Sequence, residues 1–202
     1  MCRYIQKIDT NTKFVILMHP KEFKKVKNNT GRFTHLSLAN SELFIGIDFT
    51  SHKRVNEIIK THKSYVLFPS DDAHDLSISP LRKEEFPLAI FLIDSTWACT
   101  KSIFRHSRNL QSLPRLSFST QRTSKYEIKE QPHSHCLSTI ESTQIVLELL
   151  VHYGLERIES EKITKFLLPF EKMVKYQKAV IENPRSHAVR FRQNAKEVSP
   201  KR

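Results

Sequence analysis

Glycine is scarce, at three in 202 residues. That scarcity excludes phosphate-cradling loops of the G-x-G-x-x-G and Walker type, which need glycine for the backbone to approach a phosphate. Cysteine is equally scarce. Cys2, Cys99 and Cys136 are odd in number and lack C-x-x-C pairing, which argues against a disulfide framework and for a reducing compartment. No apolar run approaches the roughly 18 residues needed to cross a bilayer. The start, Met1-Cys2-Arg3-Tyr4-Ile5, lacks a charged region, apolar stretch and small-residue cleavage site in series. A soluble, cytoplasmic protein with no membrane partner is therefore expected. Internal repeats and low-complexity segments are absent as well.

What is abundant is positive charge: 33 Lys and Arg against 21 Asp and Glu give a formal net charge of +12. Such an excess suits a polyanion, with nucleic acid ahead of an anionic membrane surface, because cations on the protein release the counterions condensed on a phosphate backbone. The length suits one hydrophobic core. Residues 1–182 are expected to form a single domain. Residues 183–202, with six Lys or Arg and one acid, read as a flexible basic tail.

Three continuous apolar runs dominate the first half: Phe14 to Met18, Tyr65 to Phe68 and Leu88 to Ile93. None alternates with polar residues, so each fits a strand buried on both faces, as in a largely parallel sheet flanked by helices. Leu43 to Ile47 is a weaker strand candidate, and Leu113 to Phe118 another short one. Helical spacing occurs at 52–62 and 96–108, and again from Ser138 to Tyr153, where Gly154 stops the helix. A last helix over 160–182 holds Pro169, which predicts a kink or break. Residues 119–136 read as a polar loop or edge hairpin. The alternation of strands and helices predicts an α/β fold.

In an open α/β sheet, ligands bind outside the carboxyl ends of the strands. Those ends are polar here: His19-Pro20-Lys21-Glu22, Pro69-Ser70-Asp71-Asp72 and Asp94-Ser95-Thr96-Trp97. Ordinary turn and cap chemistry accounts for any one of them alone. Asp94, following six apolar residues, is the candidate base, since burial favours a carboxylate that takes up a proton. Trp97 is either core filler or a stacking surface. Asn29-Thr30-Gly31 reads as a turn with Gly31 at positive φ, and Ser138 with Glu141 has the form of a capping box.

Leu92-Ile93-Asp94-Ser95-Thr96-Trp97 followed by Lys101 resembles the signature of the DTW-domain family, named for Asp-x-x-Trp with Thr before the Trp. Five further elements are similar to the family's and stand in its order: His19-Pro20-Lys21-Glu22, Asn29-Thr30-Gly31-Arg32, Phe68-Pro69-Ser70, Leu113-Pro114-Arg115 and Leu137-Ser138-Thr139-Ile140-Glu141. The resemblance covers roughly residues 2–150. It implies a SPOUT-like α/β domain with a trefoil knot around the ligand pocket. The activity it implies is transfer of the 3-amino-3-carboxypropyl group of S-adenosylmethionine to N3 of a tRNA uridine, which releases methylthioadenosine.

By the same resemblance, Asp94, Thr96 and Trp97 are expected to be catalytic. Phe68, Pro69, Ser70, Ile93, Asp94, Leu137, Ser138 and Thr139 are expected to bind S-adenosylmethionine, and His19, Glu22, Asn29, Arg32 and Lys101 to meet tRNA. Two departures stand out. Family members commonly carry several N-terminal cysteines at zinc-ligand spacing, of which Cys2 alone remains, and one thiolate cannot build a tetrahedral site. His133, His135 and Cys136 lack a complementary ligand pair, so no metal is expected. Ser95 stands where the family commonly has Gly. A methyltransferase using the same cofactor and a non-catalytic RNA-binding protein are the competing readings, and a monomer is expected with a dimer left open.

Overall fold

A computed structural model of the chain describes residues 2–25, 29–82, 87–128 and 136–182. At its centre is a six-stranded sheet of β1 (Lys13–Met18), β2 (Ser41–Ile45), β3 (Lys63–Leu67), β4 (His74–Asp75), β5 (Leu88–Asp94) and β6 (Arg115–Ser117). Every pairing is parallel, in the order β2-β1-β5-β3-β6-β4. The apolar runs therefore mark the sheet as expected. β1 sends Phe14 and Ile16 to one face and Val15 and Leu17 to the other, and all four are fully buried.

Helices cover both faces. On one side lie α2 (Thr30–Ser37), α6 (Thr139–His152), α7 (Ser160–Lys165) and α8 (Leu168–Ile181), whose Phe33, Ile140, Val146, Leu147, Phe170 and Met173 pack on Ile16, Ile90 and Leu92. On the other lie α3 (Lys53–Thr61), α4 (Trp97–His106) and α5 (Arg108–Gln111), which bring Val55, Ile58, Ile103 and Leu110 to Val15, Val66 and Phe91. The short α1 (Pro20–Lys25) follows β1. No helix among the described residues is long and apolar enough to cross a membrane.

Several boundaries differ from the sequence expectation. The helix expected over 96–108 ends at His106, and buried Ser107 separates it from α5. The strand expected over 113–118 pairs only at Arg115–Ser117. Of the kink or break expected at Pro169, the structure has the break: α7 and α8 are separate, and Pro169 sits in the first turn of α8, where a missing N–H costs nothing. Asn29-Thr30-Gly31 is not a turn but the start of α2, and the one glycine at positive φ is Gly154. There, Gly154 N donates to Val151 O and Leu155 N to Leu150 O, which closes α6 in a Schellman motif. The path from β6 to α6, on which the expected knot depends, includes residues 129–135. Those residues and the basic segment 183–202 lie outside the described residues.

Candidate active site

β1 and β5 are neighbours, but the chain leaves them toward opposite faces of the sheet, through α1 and α2 after β1 and through α4 after β5. Adjacent parallel strands with diverging connections leave a crevice at their carboxyl ends. Met18 pairs with Asp94 in register, and His19 N donates to Asp94 O at 3.2 Å. The first and third polar strand ends thus meet, as the parallel arrangement predicts. Asp94, an ionisable residue, is only 6% exposed. An ionised group so enclosed needs donors around it.

Two helix N-termini close around it, and one of them supplies a donor. From α6, Thr139 Oγ1 donates to Asp94 Oδ1 at 2.6 Å. From α2, Gly31 lies directly against the carboxyl: a Cβ at position 31 would stand 2.5 Å from Asp94 Cγ and 2.5 Å from Oδ2. Glycine is required here for close approach and not for backbone conformation. Both helix ends carry the positive pole of a peptide dipole, which favours a carboxylate between them.

Asn29 fixes where α2 begins. Its Oδ1 accepts from Arg32 N at 2.9 Å, and its Nδ2 donates to Glu22 O at 3.4 Å, which ties α2 to α1. Asn29 is buried. His19, also buried, accepts at Nδ1 from Lys21 N at 3.1 Å. In its neutral form the ring therefore carries its proton on Nε2. Arg32 lays its guanidinium over Phe23, 4.2 Å from the ring centroid, and Nε is enclosed without a hydrogen-bond partner.

Glu141 does more than cap its helix. Its Oε2 accepts from Ser138 N at 2.9 Å, which with the Ser138 side chain accepting from the Glu141 backbone N–H makes the expected capping box, and it also accepts from Ser138 Oγ at 2.5 Å. The same carboxylate accepts from Ser124 Oγ at 2.8 Å and Lys125 N at 2.7 Å, so it pins the polar loop to the head of α6. Tyr126 follows in that loop, edge-on to Phe170. Burial first, then the charges of Asp94, Glu22 and Glu141, push its phenol up to about 12. It stays protonated at neutral pH, beside the acids of the crevice.

Glu141→Ala strands four donors around a site that is 5% exposed. It is expected to destabilise the fold by about 2–3 kcal/mol, with Glu141→Gln recovering part of the loss. Urea unfolding checks this, and a loss under about 0.5 kcal/mol would reduce Glu141 to an ordinary cap.

After Asp94, Ser95 Oγ lies 2.7 Å from Thr100 Oγ1 and donates to Thr96 O at 3.1 Å. The hydroxyl that stands where the family commonly has glycine thus braces the turn into α4. Thr96 is exposed at the N-cap, with no side-chain capping bond. Trp97 opens α4, but its side chain lies outside the described residues. Lys101 is exposed one turn further. Beyond β3, the Phe68 ring stacks on Phe104 with centroids 5.2 Å apart. Pro69 is exposed. The Ser70 hydroxyl is close enough to Asp72 to hold that carboxyl below the ordinary range, yet it makes no hydrogen bond of ordinary geometry. Ile93 and Leu137 are half-buried beside Asp94 and Ser138. Of the His133, His135 and Cys136 cluster, only Cys136 is among the described residues.

Sequence reasoning singled out Asp94, His19 and Thr139 but missed the contact of Gly31 with Asp94, the loop-pinning role of Glu141, and Tyr126. An aromatic residue inside an otherwise polar loop was the available signal for Tyr126.

A family model described as "DTW domain" matches residues 1–178. The chain is 28% identical over 156 residues to a Mus musculus protein named tRNA-uridine aminocarboxypropyltransferase 2, which is 74% of this chain and 52% of that one. Proteins of the same name from Macaca fascicularis and Drosophila melanogaster match at 27% and 28% identity, each over 69% of this chain and over 48% and 57% of their own. The chain thus spans about half the length of these relatives. No solved structure gives a significant match.

Proposed function

We propose that this chain, which belongs to the DTW-domain family, transfers the 3-amino-3-carboxypropyl group of S-adenosylmethionine to N3 of a uridine in tRNA. One observation carries the reading: a buried carboxylate, Asp94, stands at the mouth of the β1/β5 crevice between two helix N-termini. The names of the relatives give the group and the class of substrate, and the net charge of +12 suits an RNA partner.

The lining fits the cofactor by its chemistry. Ser70 Oγ is enclosed without an ordinary hydrogen bond, Phe68, Ile93 and Leu137 offer apolar surface, and α6 presents the amides of its first turn. A carboxylate is a natural guest at such a helix end. Pro69, Ser138 and Thr139 complete the proposed pocket. When bound, S-adenosylmethionine supplies a sulfonium that activates the adjoining γ-carbon toward a nucleophile.

The chain's residues then have definite tasks. Asp94 takes the N3 proton of uracil, so that the N3 electron pair forms the new N–C bond while the electrons of the broken C–S bond remain on sulfur in methylthioadenosine. Thr139 and Gly31 hold the Asp94 carboxylate in place. Thr96 and Trp97, which open α4, border the reacting base. His19, through Nε2–H, and Glu22 flank the uridine. Asn29 sets the position of Arg32, and Arg32 and Lys101 meet phosphates. Fixing the two reactants in one geometry contributes much of the rate. Residues 1–182 form the catalytic domain in this reading, and the basic segment 183–202 adds RNA contacts.

Cofactor labelled separately in the methyl and in the aminocarboxypropyl carbons tests the reading. Incubated with the protein and tRNA, the second label is expected in the RNA and the first in methylthioadenosine. Methyl label in the RNA would instead make the protein a methyltransferase, and no label from either position would leave RNA binding without transfer.

A further inference from the structure

Beyond the crevice, α4 carries Lys101 and Arg105, four residues apart and so on one face. Both are exposed, and neither forms an ion pair among the described residues. Arg105, in the last turn, suits the negative end of the helix dipole, but Lys101, one turn earlier, is a like charge on the same face that works against the helix. They border an open concavity of about 480 Å³, lined also by Phe68, Phe104, Gln111 and Arg115.

Within it the flat groups form a column. The Phe68 and Phe104 rings stack with 16° between their planes, and Arg115 Cζ lies 5.2 Å from the Phe104 centroid. Gln111 Nε2 donates to Phe104 O at 2.9 Å and Arg105 O at 2.8 Å, which locks the end of α4 that carries these residues. Among the described residues, the acid that ion-pairs here is Asp72, at 2.9 Å from Arg115 Nη1, and it is 76% exposed. Three cations thus face one carboxylate around a planar hydrophobic column.

We infer that this shelf holds the strand of tRNA flanking the target uridine, with Lys101 and Arg105 on its phosphates and one base against the Phe68–Phe104–Arg115 column. The inference rests on tRNA being the substrate. Grooves that take single-stranded nucleic acid combine these two features, cations along the backbone and aromatic faces for the bases. The location also fits. Lys101 to Arg105 lie roughly 6–12 Å along α4 from its start at a rise of about 1.5 Å per residue, and that start is three residues past Asp94. A strand leaving the crevice along α4 therefore reaches the shelf within a few nucleotides.

Two variants of the full chain test this by tRNA binding over a series of salt concentrations. Lys101→Gln with Arg105→Gln is expected to weaken tRNA about tenfold near 0.15 M salt and to flatten the slope of log affinity against log salt by about 1.4, from roughly 0.7 per single-strand phosphate contact. Phe104→Leu, which preserves apolar volume, is expected to weaken tRNA about fivefold with the salt slope unchanged. Affinity for S-adenosylmethionine is expected to be unaltered in the double variant, whose side chains are not among those given to the cofactor pocket. If the double variant binds tRNA as the unsubstituted protein does, the shelf is not the RNA path, and if Phe104→Leu does, the stacking half fails. In the double variant, a loss of cofactor affinity equal to that for tRNA would show general damage and overturn the assignment. The unsubstituted protein in the labelled-transfer assay separates these results from failure of the functional reading itself: label in tRNA with unaffected variants overturns the shelf alone.

Discussion

Asp94→Asn is expected to reduce transfer by about 10²–10⁴-fold while leaving the fold intact. The amide oxygen can still accept from Thr139 Oγ1, which now approaches to 2.6 Å, and the substitution changes neither size nor shape. What it removes is the ability to take a proton. Uracil N3 is a poor nucleophile until deprotonated, so the barrier rises by the share that general-base catalysis supplies. Single-turnover transfer from labelled cofactor into tRNA measures the rate, and thermal unfolding measures the fold. A rate within threefold of the unsubstituted protein, at unchanged stability, would remove Asp94 from the chemistry and return it to a positioning role.

Gly31→Ala is expected to lower both stability and activity, for a reason that lies wholly in packing. The added methyl would stand 2.5 Å from Asp94 Cγ and Oδ2 and 2.9 Å from its Cβ. One partner must move. If α2 withdraws, buried Phe33 and Thr34 lose their packing, and if the carboxyl turns away, its bond from Thr139 is broken. Overpacking of this kind costs about 1–3 kcal/mol, and displacing a reacting group by about 1 Å can cost some 10²-fold in rate. Urea denaturation and single-turnover transfer give the two numbers. The combination is diagnostic: a stability loss with full activity would mean that α2 yields while Asp94 stays in place, contrary to the role given to Gly31.

The residues of the crevice differ in how legible they were. Asp94 could be read directly, because the strand before it is apolar without interruption and its end is therefore buried at the sheet edge. Thr139 was legible as the first residue of an amphipathic helix, though its partner was not. Gly31 was misread. Its neighbours Asn29 and Thr30 favour turns, but Asn is also a strong N-cap, and its side chain bonds Arg32 N to start a helix. Glu141 was read as a cap because the Ser-x-x-Glu spacing is local, whereas its bonds to Ser124 and Lys125 span a loop of no regular pattern. Phe104 carried no signal, and Arg115 was legible only as part of the Leu113-Pro114-Arg115 element, since their contact forms between α4 and β6.

By itself the sequence determined the class of fold and the net positive charge of the chain. Strands buried on both faces must be apolar at every position, a pattern that a parallel sheet imposes and the chain displays from Phe14 to Met18 and from Leu88 to Ile93. Net charge is a sum over residues and requires no coordinates. The tertiary structure alone decided what touches Asp94. Periodicity is a property of neighbours along the chain, but strand order is not, and only the placement of β1 beside β5 brings the starts of α2 and α6 onto one carboxylate.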